Sequence, residues 1–180
     1  IQHEQTAGQT RAIRTGVLAA RAPIVAILDG DGQNDPADIP RPYEILSKAG
    51  GVQTLAMAAG ERRKRIDSAA KRFASRIANG IRRRLLKDGA TDTGCGLKLF
   101  YRDAYLRLPY FDHMHRYLPA LMRREGFAVT FAQVSHRARA HGASKYTNIG
   151  RLLVAIRDLL GVLWLLGRSN SAKSIREDGK

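Results

Sequence analysis

Two carboxylates one residue apart, Asp29 and Asp31, lie in the segment Asp29-Gly30-Asp31-Gly32-Gln33-Asn34-Asp35-Pro36, directly after the apolar run Ile24–Leu28. With the amide oxygen of Gln33 they offer hard oxygen donors. These suit Mg²⁺ or Mn²⁺, ions that keep several waters and take substrate phosphate oxygens as further ligands. A divalent ion bridging a diphosphate is the chemistry this spacing allows; a solvated acidic turn is the other reading of the same residues. An EF-hand is excluded, because the further carboxylates and closing Glu of that loop are missing. His113-x-His115 has no third ligand at useful spacing, so no zinc site is expected. Cys95, the single cysteine, cannot form an internal disulfide; it fits a reducing compartment and reads as a small residue in a tight turn.

The elements that must position this loop follow from punctuation and periodicity. Thr10–Ala20 reads as a helix, Ile24–Leu28 as a short, fully apolar strand and Asp29–Pro36 as a loop dense in turn formers. Pro40–Lys48 is predicted helical, and Gln53–Ala58 is a second strand ending at Gly60. A long basic amphipathic helix is expected over residues 66–86, a strand at Gly96–Tyr101, helices starting at Arg102 and spanning Tyr117–Arg124, and an alternating strand at Val129–Val134. Helices interleaved with apolar strands predict an α/β layered domain with a largely parallel sheet. In such sheets ligands bind beyond the carboxyl ends of the strands, which is where the acidic loop falls.

The chain has 180 residues, enough for one ordinary domain, and its 44% hydrophobic content is that of a foldable sequence rather than a basic disordered tail. Its formal charge of +15 is unevenly spread: residues 1–60 sum to −1, while residues 61–90 and 91–180 each sum to +8. The basic run from Arg62 to Arg84 has Phe73 as its one aromatic, which argues against nucleic acid and for phosphate or an anionic membrane. Near the C-terminus the uncharged run Leu159–Gly167 is far short of the ~20 residues needed to span a bilayer. Apolar residues from Ile149 to Leu163 recur at helical spacing, so residues 149–167 are read as an amphipathic helix. It packs on its own domain or a partner, or lies in the membrane plane with Trp164 at the interface. Residues 168–180 read as a disordered polar tail. No secretory leader is visible, and because the chain opens on Ile1 rather than Met, its first residues are expected not to be the true N-terminus.

One family resemblance orders these features. The acidic loop, with Gly8-Gln9-Thr10 and Ala12–Gly16 before it and Ala37–Pro40 after it, is followed by Gly60-Glu61-Arg62, by Ser75-Arg76 with Asn79, by Asp92-Thr93-Gly94-Cys95-Gly96-Leu97-Lys98, and by the stretch from His136 to Tyr146. In this order the blocks resemble the inverting family 2 glycosyltransferases, in particular the polyprenyl-phosphate branch like dolichol-phosphate mannosyltransferase, over residues 1–166.

The resemblance implies a GT-A fold, a Rossmann-like three-layer α/β sandwich occupying residues 1–148. It also implies transfer of a sugar from a nucleotide-sugar to the phosphate of a polyprenol at the cytoplasmic membrane face, with the protein peripherally bound. Asp29, Asp31 and Gln33 then look like the ligands of Mg²⁺ or Mn²⁺ on the donor diphosphate, with Asp31 and Asp92 counted as catalytic. Asp92 would orient the acceptor or act as a base, or simply brace its turn. Arg62, Arg76, Arg139, Ser144 and Lys145 look like phosphate holders, Arg139 and Lys145 foremost. The Gly-punctuated segment from His136 to Tyr146 suits a loop closing over substrate, and His113–His115 would face the interface or the acceptor. A phosphate-monoester acceptor is already anionic near neutral pH, so a strong general base is optional.

The sequence also departs from the family pattern. An opening strand ending in a Pro-x-Tyr-Asn-Glu-like motif and a later strand ending in Asp-Asp-Gly-Ser, which build the nucleotide pocket, are not found, so the first ~60–70 residues of the pattern are expected to be missing. The alternative reading is therefore an inactive truncated remnant, serving as a membrane- or partner-binding module through residues 149–167, either as a homo-oligomer or with a membrane subunit.

Overall fold

A computed structural model describes residues 1–62, 80, 82–92, 94–135, 137 and 148–168. Helix α1 (Gln9–Ala19) leads into strand β1 (Ile24–Ile27), whose β-branched residues favour the extended backbone. A 3₁₀ turn at Pro36–Asp38 precedes α2 (Pro40–Lys48), where Pro40 and Pro42 fall in the first turn, the one place a helix tolerates them. Strand β2 (Met57–Arg62), strand β3 (Lys98–Tyr101), α3 (Arg102–Arg107), a 3₁₀ turn at Met114–Arg116, α4 (Leu118–Arg124), β4 (Val129–Val134) and α5 (Asn148–Gly167) complete the described chain.

The four strands form one sheet in the order β1-β3-β2-β4. Strands β2 and β4 are parallel, but β3 runs antiparallel to both β1 and β2. The expected largely parallel sheet is thus a mixed one. The reason lies in where the chain re-enters it: Arg62 at the end of β2 is bonded to Asp92, so the segment leading into β3 begins at the same end of the sheet where β2 stops, and β3 must run back. Strand β1 pairs with β3 alone among the described residues, and its side chains are half-buried, with Ala26 exposed, rather than fully enclosed as its apolar composition predicts. The second strand is also displaced from the predicted Gln53–Ala58. The amides of Thr54 and Leu55 are taken by the Gly51 carbonyl in a turn, and the ladder runs through Gly60 to Arg62.

The core lies between the sheet and α3, α4 and α5, centred on Phe100, Tyr105, Met114, Leu118, Leu121 and Val162. Phe100 and Tyr105 stack at 4.9 Å. A smaller cluster of Leu46, Ala58, Leu97, Leu99 and Val134 packs α2 on the other face. Arg102 donates to the carbonyls of Val17 and Leu18, fastening β3 and α3 to the C-terminal end of α1.

Helix α5 is the amphipathic helix expected at residues 149–167. It buries Val162 against the core and leaves Leu153, Leu160 and Trp164 more than 60% exposed. Residues 82–86 are helical, whereas most of the predicted 66–86 helix and the polar tail beyond Arg168 lie outside the described residues. No helix among the described residues is long and apolar enough to cross a membrane.

Candidate functional site

Three chain segments converge at the end of the sheet where β1, β2 and β4 finish. The acidic loop follows β1. Asp29 accepts a bond from the Gln9 amide (2.7 Å) through Oδ1, and its own N–H donates to the buried side chain of Asn34 (3.2 Å). Asp31 closes the turn by accepting from the Gln33 N–H (3.1 Å). Asp35 caps the 3₁₀ turn through the Ala37 N–H, as the Asp-Pro pairing favours.

The second segment, 92–97, leads into β3 and lies against this loop because two positions are glycine. A Cβ on Gly96 would fall on the Asp29 carboxylate and within 2.5 Å of Asn34 Oδ1; one on Gly60 would come within 2.8 Å of Cys95 Sγ and 2.9 Å of the Leu97 carbonyl. Cys95 is accordingly a buried packing residue whose thiol pKa is pushed up by burial.

The third segment leaves β4. Ser135 donates both its N–H (2.8 Å) and its hydroxyl (2.6 Å) to Asp38, while Arg137 pairs with Asp35 and donates its N–H to the Gln33 carbonyl (3.1 Å). Ser135 and Arg137 are thereby tied to the acidic loop.

Of the predicted site residues, Asp29, Asp31 and Gln33 share the loop, and Arg62 and Asp92 form a close pair beside it. The Arg62 guanidinium donates from Nε (2.5 Å) and Nη2 (2.7 Å) to the two Asp92 oxygens, and the backbone N–H groups of Gly94 (3.2 Å) and Arg62 (3.3 Å) donate to them as well. Asp92 here braces its turn and holds Arg62, so the Arg62 fork is directed to a carboxylate. Arg76, Arg139, Ser144 and Lys145 lie outside the described residues.

Asp29 and Asp31 offer carboxylate oxygens, the donor type that a small divalent cation takes, and one oxygen of each is bonded within the site, to Gln9 and to the Gln33 N–H. Among the described residues no group of three His, Cys, Asp or Glu side chains could hold one. Waters and substrate phosphate oxygens would have to complete the shell, as is usual for Mg²⁺.

Beneath Asp29 opens a cavity of about 160 Å³, lined in part by Gln9, Asp29, Cys95, Lys98, His115 and Arg116. Gln9, Asn34 and Arg116 carry no signal of a role in the sequence alone, and Lys98 only that of a cation within an apolar strand. Lys98 is 6% exposed, and its ammonium donates to the Cys95 carbonyl; burial lowers its pKa. His115 Nδ1 meets the Thr10 hydroxyl (2.8 Å), and burial first, then Arg116, lower its pKa to about 4, so the ring is neutral near pH 7. His113 turns away to Asp158 (2.9 Å), which splits the His-x-His pair between two partners.

The profile of Glycosyl transferase family 2 matches residues 1–108, more than half of the chain. This chain belongs to glycosyl transferase family 2. It is 32% identical over 169 residues to the dodecaprenyl-phosphate galacturonate synthase of Rhizobium johnstonii, covering 92% of this chain and 48% of that protein. It is 36% identical over 155 residues to the undecaprenyl-phosphate 4-deoxy-4-formamido-L-arabinose transferase of Pseudomonas fluorescens, covering 85% and 43%. The chain thus spans just under half the length of these relatives. Its fold matches glucosyl-3-phosphoglycerate synthase of Mycobacterium tuberculosis, solved with UDP, at a TM-score of 0.63 and 15% identity over 93% of this chain and 57% of that one. The same synthase with Mn²⁺, UDP-glucose and glycerol 3-phosphate matches at 0.62 and 14%. The GT-A architecture expected from the motif order is the fold of the family 2 chain described here.

Proposed function

We propose that this family 2 chain transfers a sugar from a nucleotide-sugar to a polyprenyl phosphate, with Mg²⁺ or Mn²⁺ held by Asp29 and Asp31. The observation that carries the reading is the convergence at one sheet end of the acidic loop, the Arg62–Asp92 pair, and Ser135 and Arg137 after β4. The two relatives named above act on polyprenyl phosphates according to their names. A bound divalent ion would supply positive charge to the departing nucleoside diphosphate. The chain's own residues do the rest: Gln9 and Asn34 fix Asp29, Gln33 fixes Asp31, and Arg62 holds Asp92 as a charged wall rather than a free base. Arg76, Arg139, Ser144 and Lys145 are the further proposed phosphate contacts.

A peripheral position on the cytoplasmic membrane face belongs to the same proposal. The exposed Leu153, Leu160 and Trp164 of α5 and the +15 charge support it, since each well-placed Lys or Arg adds about 1 kcal/mol of attraction to anionic lipid. The direct test is incubation of the protein with labelled nucleotide-sugars, Mn²⁺ and undecaprenyl phosphate. Labelled sugar-lipid that disappears in Asp31→Ala supports the reading; no product with any donor, or equal product from the variant, refutes it.

A further inference from the structure

Lys98 is the charged group that the fold and the acidic loop leave unexplained. It sits at the start of β3 in register with Ile27, two residues before Asp29, and is 6% exposed on the wall of the 160 Å³ cavity. An ammonium has three donors, and the structure gives this one a single acceptor, the Cys95 carbonyl. Asp29 and Asp92 act on it electrostatically, yet among the described residues neither closes an ion pair with it; Asp29 Oδ1 is engaged by Gln9 and both Asp92 oxygens by Arg62. Keeping a cation buried with one neutral partner is costly. Arg116 lines the same cavity, and its charge, like that of Lys98, acts on His115 beside it. No bond from its guanidinium is found among the described residues; its main chain is held by Arg82. The cavity far exceeds the ~10–15 Å³ that one water centre requires, so it admits a polyatomic group.

We propose that Lys98 and Arg116 form an oxyanion subsite for a phosphate monoester, beside Asp29 of the acidic loop and independent of metal. The proposal rests on the glycosyl-transfer reading and adds to it where the acceptor sits. Asp29 and Asp31 repel an anion unless a metal ion intervenes, whereas Lys98 and Arg116 attract one directly. Neutral His115 contributes a polar wall without adding charge. A phosphate held here lies beside Asp29, next to the donor diphosphate. One of its oxygens attacks the anomeric carbon, forming a C–O bond as the bond from that carbon to the diphosphate breaks. The nucleoside diphosphate leaves with the bonding pair, and no proton has to move, because the monoester is already anionic. The chemistry is that of any phosphate, so the donor diphosphate is the competing occupant.

The test uses calorimetry with inorganic phosphate and with undecaprenyl phosphate in detergent, both in EDTA, and with UDP plus Mn²⁺. The variants are Lys98→Met, which keeps the chain length without the charge, Lys98→Arg and Arg116→Gln. The expected result is metal-free binding of undecaprenyl phosphate and phosphate by the wild type. It weakens at least tenfold in Lys98→Met and Arg116→Gln and is partly restored in Lys98→Arg. UDP–Mn²⁺ uptake stays unchanged, and the melting temperature of Lys98→Met is equal or higher, because a buried charge has been removed. No metal-free phosphate binding by the wild type, or equal binding by Arg116→Gln and any folded Lys98→Met, overturns the proposal. So does phosphate uptake that requires Mn²⁺ and vanishes in Asp31→Ala, which would assign the anion to the donor site. Loss of UDP–Mn²⁺ uptake with metal-free phosphate binding intact would instead refute the donor reading and leave this subsite standing.

Discussion

Replacing Arg62 by alanine removes both guanidinium bonds to Asp92, at 2.5 and 2.7 Å, from a pair whose side chains are 12% and 7% exposed. An exposed ion pair is worth about 0–1 kcal/mol, whereas stranding one member of a buried pair costs about 3–5 kcal/mol. Two backbone donors to Asp92, the N–H groups of Gly94 and of residue 62 itself, survive the substitution, which places the expected loss near the lower end, about 3 kcal/mol. For a chain of this size each kcal/mol moves the melting temperature by roughly 2–4 °C, so Arg62→Ala should melt about 6–12 °C below wild type. Arg62→Lys keeps the charge but loses the fork and should fall between the two. Removing the carboxylate as well, in Arg62→Ala/Asp92→Ala, should recover part of the loss. Thermal and urea unfolding followed by circular dichroism read all three. A shift under about 2 °C for Arg62→Ala, the size expected of a surface pair, would show that Arg62 does not brace Asp92 and would return it to the phosphate-holding role that its family position implies.

Further perturbations probe the rest of the site. Gly96→Ala must push the Asp29 carboxylate or Asn34 aside, so it should cost about 1–3 kcal/mol and weaken Mn²⁺-dependent nucleotide binding together; calorimetry showing unaltered binding would contradict the close approach. The His115 pKa, about 4 in the folded state, lies below its ordinary value of 6.5, so the unfolded chain takes up this proton first. The associated stability is complete above pH 6.5 and declines as the pH falls toward 4, by about 1–2 kcal/mol once solvent screening at this partly exposed ring is discounted. His115→Gln should flatten urea-unfolding stability across that window, and an unchanged slope would refute it. Leu160→Ser/Trp164→Ser changes residues that are 62% and 64% exposed, so it should leave the melting point within about 2 °C and reduce sedimentation with anionic vesicles. Undiminished sedimentation would remove α5 from the membrane contact.

What the residues disclosed on their own depended on how local the signal was. The acidic loop was legible because turn formers, carboxylates and the preceding apolar strand are contiguous, and Pro40–Lys48 and Val129–Val134 came out with the predicted bounds for the same reason. Strand direction was not legible: nothing in Lys98–Tyr101 says that the chain enters at the end where β2 stops, a fact set by the Arg62–Asp92 contact across 30 residues. The start of β2 was misplaced because Gly51 captures the amides of Thr54 and Leu55, a capture that apolar patterning does not encode. The cavity residues were missed because its walls come from α1, β1, the segment before β3 and the Met114–Arg116 turn. The one available sign was a lysine set among Leu97, Leu99 and Phe100, an apolar strand in which a cation calls for a partner.

The proposed role of Asp29 and Asp31 in holding a divalent ion for a nucleoside diphosphate is measured most directly by calorimetric titration of UDP and GDP into the protein with Mn²⁺, with EDTA, and with Mn²⁺ on Asp31→Ala. Uptake of one of the two nucleotides is expected in Mn²⁺ alone, abolished by EDTA and weakened at least tenfold in the variant. Binding that is equal in EDTA, or untouched by Asp31→Ala, would contradict it.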